Sequence, residues 1–192
     1  AYAESMAELA NSKHIFARTV TPDDLSLQMI GYRPRRRAVV KVSAGDEIVY
    51  VKVLRSRLFD DVLARHRLLS EAGLPVADVA ATTDDHLLVL RELRGEPLAR
   101  AIFEPAEPCT AEALIGLLDA MPASVARLDR RPPWSDAVAH YARMVAAAMP
   151  VLGTKLNWLV DTISQGLASI PPGSEPTHGD FHEGQVHVAG GR

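Results

Sequence analysis

The chain has 192 residues and a mass of 20.8 kDa, enough for one ordinary domain or two small lobes whose core needs no covalent staple. Its hydrophobic fraction of 47%, charged fraction of 23% and net charge of −3 exclude a disordered chain or a coiled coil, and argue against nucleic-acid binding by the chain as a whole. One cysteine, Cys109, allows no internal disulfide, and no run of about 18 apolar residues offers a membrane span; with a polar N-terminus that lacks a signal-peptide core, this leads to the expectation of a cytoplasmic protein.

The chain opens in a helix-like phrase, and the first hundred residues then read mainly as strands. The runs 39–42 and 48–54, separated by the turn cluster Ser43 to Glu47, predict an antiparallel hairpin with a five-residue loop. Alternation in the second strand puts Ile48, Tyr50, Lys52 and Leu54 on one face and Val49, Val51 and Val53 on the other. A lysine in so apolar a strand asks for a reason. Residues 60–72 predict a helix with the apolar stripe Val62, Leu63, Leu68 and Leu69, closed by Gly73. An extended segment 76–81, a turn at Asp84-Asp85, a strand 86–90 and a connector 93–97 containing Gly95 complete this half.

From residue 104 the character changes. Residues 104–110 hold two prolines and read as a linker, followed by helices at 111–129, 134–149 and 154–169. Thr110 is a natural N-cap for the first of them. The proline-rich loop 170–177 leads into His178-Gly179-Asp180-Phe181-His182-Glu183-Gly184-Gln185 and a short strand 186–188. The expectation is an α+β protein of two lobes: a mainly β lobe over 1–102 with one helix, and a mostly helical lobe over 103–192, with a site in the cleft between them.

Several of these pieces together carry a resemblance. His178-Gly179-Asp180 with Gln185 five residues after the aspartate resembles the H-G-D-x-x-x-x-N catalytic loop of the aminoglycoside phosphotransferases and choline kinase-like small-molecule kinases, relatives of the protein kinases. Tyr50-Val51-Lys52-Val53 is similar to the family's ATP-lysine strand. Gly73-Leu74-Pro75-Val76 is similar to the segment after its N-lobe helix, and Leu88 to Leu98 to its hinge. Gln185 within H-G-D-x-H-x-x-Q resembles the maltokinase and glucosamine-kinase branch.

The resemblance implies a two-lobed protein-kinase-like fold, ATP and Mg²⁺ as cofactors, and transfer of the γ-phosphoryl group to a hydroxyl of a small molecule, an aminoglycoside or a sugar. It implies Asp180 as acceptor of the substrate proton, Gln185 as a Mg²⁺ ligand and Lys52 on the α/β-phosphates. Asp60 or Asp61, favoured as lying near the helix start, would pair with Lys52; Glu71 is a third candidate. Glu92 and Leu93 would offer backbone groups to adenine. Arg35, in the run Tyr32-Arg33-Pro34-Arg35-Arg36-Arg37, stands where relatives often have glycine in the nucleotide loop. The second metal-binding acid expected after the loop is not reached before Gly190-Gly191-Arg192, so the expectation is a truncated C-lobe belonging to a longer protein. Residues 101–192 carry 6 Lys/Arg against 10 Asp/Glu, a balance that weakly suits a cationic acceptor.

Two other readings stay open. His178, Asp180 and His182 form an H-x-D-x-H spacing that would suit Zn²⁺ or Mn²⁺ in a metal-dependent hydrolase. A non-catalytic, kinase-like nucleotide-binding protein would carry the same motifs without turnover.

Overall fold

The computed structural model describes residues 2–103, 109–129, 133–171 and 173–189. The chain forms two compact units, Ala1–Leu128 with Pro176–Arg192, and Asp129–Glu175. Most of the expected linker 104–110 and the terminal Gly-Gly-Arg lie outside the described residues.

The first unit is α+β, built on a five-stranded antiparallel sheet of order β1-β2-β3-β5-β4. Its strands are β1 (Leu25–Arg33), β2 (Arg37–Ala44), β3 (Glu47–Leu54), β4 (Val79–Thr82) and β5 (Leu87–Arg91). The β2–β3 hairpin is tighter than expected. Ala44 pairs with Glu47, leaving a two-residue loop in which Gly45 takes a φ of 64°, the left-handed value such loops favour at their first position. Strand β1 escaped the sequence reading. Its even alternation at Leu25, Leu27 and Met29 is broken by a bulge at Ile30, between the pairs Met29–Val40 and Gly31–Val39.

Helices cover both faces of the sheet, a correction to the expectation of one. Helix α1 (Tyr2–Ser12) buries Met6, Ala7 and Ala10 with Ile15, Phe16 and Val20 against Val42, Val49, Val51 and Val89. The loop after α1 is clamped by Asn11, whose side chain donates to the Val20 carbonyl at 2.8 Å and accepts from its N–H at 2.9 Å. On the other face, helix α2 (Ser56–Glu71) sets Phe59 and Leu63, one turn apart, against Leu88 and Leu90. It starts four residues before the expected position 60. Asp60 and Asp61 therefore sit in its second turn rather than at its start.

The short strands β6 (Glu96–Pro97) and β7 (His187–Val188) pair antiparallel and tie the connector after β5 to the segment after the 178–185 loop. Helix α3 (Leu98–Ala101) follows at once, and the Leu98 N–H donates to the Val186 carbonyl at 2.8 Å. Leu98, Val186 and Val188 form a small core with Phe181, Cys109 and Leu114. Through this pairing residues 176–189 join the sheet-bearing unit, which also takes in the chain as far as Leu128; composition led to a division at 102/103.

Helix α4 (Ala111–Asp119) is capped by Thr110, whose hydroxyl accepts from the Ala113 N–H at 3.2 Å. It is shorter than the expected 111–129, because Pro122 lacks an N–H; a 3₁₀ turn, Ala123–Arg127, follows. The second unit is a helical hairpin, α5 (Trp134–Ala148) and α6 (Gly153–Ala168), turned by the 3₁₀ segment Pro150–Leu152. Among the described residues no helix is long and apolar enough to cross a membrane.

Candidate functional site

The β2–β3–β5 register decides where the charged strand residues point. Lys52 lies opposite Val39 on β2 and Leu88 on β5, so it shares the α2-facing side of the sheet with Tyr50, Leu54, Leu88 and Leu90. Arg37 pairs with Leu54, which makes it the diagonal neighbour of Lys52 on the same face. Lys52 is half-buried, and it lines a cavity of about 280 Å³ together with Val39, Ala77, Leu90, Glu92 and His187. Apolar walls, a lysine and the connector after β5 thus converge at one place, inside the first unit.

The electrostatics of this cavity are unbalanced. Among the described residues no carboxylate lies within ion-pair distance of Lys52. Burial, and secondarily the neighbouring Arg37 guanidinium, pushes the Lys52 ammonium below the usual lysine range. The expected partner Asp61 is engaged elsewhere: its carboxylate meets Arg65, one helical turn on, at 2.7 Å. Asp60 and Glu71 are exposed. The α2 residue whose charge state Lys52 influences is His66, held below the usual histidine range by burial and then by the Lys52 charge. His66 Nδ1 is buried without a hydrogen-bond partner.

At the edge of the cavity, the Tyr50 hydroxyl donates to the Glu92 carboxylate at 3.1 Å. Burial, reinforced by this bond, pushes the Tyr50 hydroxyl above the usual tyrosine range. The Glu92 N–H donates to the Ile48 carbonyl at 3.2 Å, extending the β3–β5 ladder by one residue. Of the two connector residues expected to serve adenine, Leu93 is therefore the one whose N–H has no backbone acceptor among the described residues. Two residues later Gly95 takes a φ of 99°, and a Cβ there would lie 2.2 Å from the Val188 carbonyl oxygen. Only glycine lets the connector approach β7 so closely.

Arg35 is exposed in the β1–β2 turn and lines neither this cavity nor a larger one described below. Its φ of 59° is the conformation glycine adopts without strain. Of the arginine run, Arg37 is the member brought to Lys52.

The 178–185 loop is shaped by its own side chains. The His178 and Phe181 rings stack edge to face with centroids 5.6 Å apart, and Phe181 anchors on the Leu98–Val186–Val188 core. His182 caps the 3₁₀ turn Glu183–Gln185, its Nδ1 accepting from the Gly184 N–H at 3.1 Å. An accepting Nδ1 leaves the proton on Nε2. The Gln185 amide 3.4 Å from that Nε2 then satisfies it best by presenting Oε1 as acceptor. Asp180 and Gln185 are exposed. Gln185 lines a cavity of about 700 Å³ with His178, Leu69, Leu117, Met121 and Phe181, and Asp180 lines neither cavity. His178, Asp180 and His182 do not converge: among the described residues no three His, Cys, Asp or Glu side chains form a group able to hold a metal ion.

The sequence matches no protein-family model and no curated protein. Sequence reasoning gave His66 and His187 no role, and within the arginine run it singled out Arg35 rather than Arg37. Each had a signal: the hairpin register for Arg37, the three-residue step from Leu63 for His66, and the in-out alternation of Val186, His187 and Val188.

Proposed function

We propose that the chain carries the nucleotide-binding and catalytic-loop parts of an ATP-dependent small-molecule phosphotransferase with a kinase-like fold. The observation that carries this reading is the Lys52 cavity. A half-buried ammonium with a second cation beside it, no carboxylate within ion-pair distance among the described residues, and the one carboxylate of the cavity lining, Glu92, held by Tyr50, needs an anion to complete it. Polyphosphate supplies that charge. Val39, Ala77 and Leu90 offer apolar walls to a base, and Leu93 offers a backbone donor.

In this reading Lys52 and Arg37 hold the phosphates, and Asp180 accepts the proton of the attacking hydroxyl. The Gln185 carboxamide oxygen, a hard neutral ligand, is of a kind that suits Mg²⁺. The ion would screen the charge on the transferred phosphoryl group. As for the acceptor, the described lining of the larger cavity contains Arg65 and Arg94 and no carboxylate. That lining disfavours a polycationic aminoglycoside and favours a sugar or another hydroxyl compound with few positive charges.

A second reading, nucleotide binding without turnover, is favoured by one observation: Asp180 is exposed and lines neither cavity. The test is ATP-dependent phosphorylation over a panel of neutral sugars, amino sugars and aminoglycosides, run beside ATP binding. Product formation that falls at least about a hundredfold in Asp180→Asn, with ATP affinity unchanged, supports catalysis. ATP binding with no turnover on any acceptor supports the binding module. No ATP binding refutes both.

A further inference from the structure

The proposal concerns what holds Lys52, and it rests on the reading that this lysine receives phosphate. Kinase-like sites pair the strand lysine with a helix carboxylate, and here α2 offers none: Asp61 is bound to Arg65, and Asp60 and Glu71 are exposed. The helix turns a different group towards the sheet. Phe59 and Leu63 pack on Leu88 and Leu90, and His66, three residues beyond Leu63, continues that stripe. Leu88 is the cross-strand partner of Lys52, so the stripe ends against the lysine's side of the sheet.

The state of the ring is legible. Burial outweighs the opposing influence of the Ala77 backbone and favours the neutral ring. Nδ1 is the buried nitrogen without a partner. A neutral imidazole in the tautomer protonated at Nε2 offers a lone pair at Nδ1. A buried acceptor without a donor is unfavourable by the full desolvation of that nitrogen, and the cation whose charge reaches the ring is the Lys52 ammonium, with three N–H bonds.

We propose that His66 is the positioning residue of Lys52: its neutral Nδ1 accepts a hydrogen bond from the ammonium when the lysine engages a polyphosphate. A carboxylate would orient the lysine and cancel its charge. A neutral imidazole orients it and leaves the charge intact. The site then keeps the full positive charge of Lys52 and Arg37 for its ligand, which makes affinity depend steeply on the number of phosphates.

The experiment is calorimetric titration of the full chain with tripolyphosphate, ATP and adenosine at fixed ionic strength. It compares wild type, His66→Ala, His66→Gln, Lys52→Met and the double variant Lys52→Met/His66→Ala. Loss of a hydrogen bond to a charged group corresponds to about a tenfold loss in affinity. His66→Ala should lower tripolyphosphate and ATP affinity by that factor and leave adenosine within about twofold. His66→Gln, which restores an acceptor, should stay within about threefold of wild type for all three. On the Lys52→Met background, His66→Ala should change nothing further, because the group it positions is gone. Tripolyphosphate binding that depends on Lys52 but not on His66 overturns the positioning role and leaves the nucleotide reading standing. An equal loss for adenosine and tripolyphosphate in His66→Ala also overturns it, since that marks a packing residue. Tripolyphosphate binding that shows the His66–Lys52 coupling, with no binding of ATP or adenosine, supports the positioning role and refutes the nucleotide reading.

Discussion

Replacing Lys52 by methionine should make the ligand-free protein more stable, even as it weakens polyphosphate binding. Methionine keeps most of the apolar stem that packs beside Leu88 and Leu90 and removes the ammonium. The gain has two sources. Arg37 is the diagonal cross-strand neighbour of Lys52, a separation of roughly 7 Å, and two unit charges at that distance repel by about 2 kcal/mol in a surface-like dielectric. Screening at physiological salt reduces this to about 1 kcal/mol. Partial desolvation of an ammonium without a counter-ion adds on the order of 1 kcal/mol. For a chain of this length, about 1–2 kcal/mol corresponds to a rise in Tm of roughly 3–6 °C. Thermal melts followed by circular dichroism, at low and high salt, measure it directly.

The pH dependence of that gain has a definite sign. Burial and Arg37 place the folded-state pKa of Lys52 below its unfolded value of 10.5. The charged form is therefore disfavoured in the folded state. The penalty is fully present below the folded pKa, and fades as pH rises through it towards the unfolded value. The advantage of Lys52→Met should shrink in high salt and shrink again above that folded pKa. A Lys52→Met protein that melts below wild type at neutral pH would refute the reasoning, because it would show that the ammonium has a stabilising partner.

Asp61→Asn should cost only about 0.3–0.5 kcal/mol, the value of a half-exposed i,i+4 pair with Arg65, and leave tripolyphosphate affinity unchanged; a loss of binding would return Asp61 to the role of lysine partner. Gly95→Ala should destabilise the first unit by about 3 kcal/mol in urea unfolding, through the clash with the Val188 carbonyl and the strained φ, and a near-neutral result would disprove the close approach. Thr110→Ala should lower stability by about 1 kcal/mol by removing the α4 cap. Asp24, whose carboxylate accepts from the Thr21 N–H and hydroxyl and from Arg18, has its pKa lowered to about 2. A depressed carboxylate stabilises above its unfolded pKa of 3.8 and loses that contribution as pH falls through about 2. Acid titration of stability should thus show wild type and Asp24→Asn converging below about pH 2, and curves that stay parallel would contradict it.

How far the sequence revealed the fold depends on how local the deciding interactions are. The β2–β3 faces were legible because strand alternation is a two-residue rule, and the pairing of Tyr50, Lys52 and Leu54 with Lys41, Val39 and Arg37 follows it. The helix caps were less so. Thr110 announces α4 by a side-chain hydrogen bond, whereas α2 begins at Ser56 after Arg55, which offers no side-chain cap, and its start was misplaced by a full turn. That error carried into the site, since it put Asp61 near a helix end instead of on a flank beside Arg65. Strand β1 and the burying role of α1 stayed hidden because both depend on long-range partners: the bulge at Ile30 breaks the pattern of one, and Ile15 and Phe16 complete the apolar face of the other.

Lys52 itself shows why one candidate was legible and its surroundings were not. A charged residue inside an apolar strand is a local contradiction, visible without any structure, and such contradictions concentrate where function overrides stability. The expected remedy was an acid, because charge complementarity is the simplest way to bury a lysine. The structure instead surrounds it with Arg37 from the neighbouring strand and His66 from the helix, and neither can neutralise it. Such an arrangement is poor as a stabilising device: it raises the energy of the ligand-free protein. In the proposed site the same feature would suit a receptor, because an arriving anion would meet cations that hold no ion-pair partner among the described residues. The stability gained by Lys52→Met and the affinity lost by it are thus two readings of one imbalance. A variant series that moved one without the other would separate them.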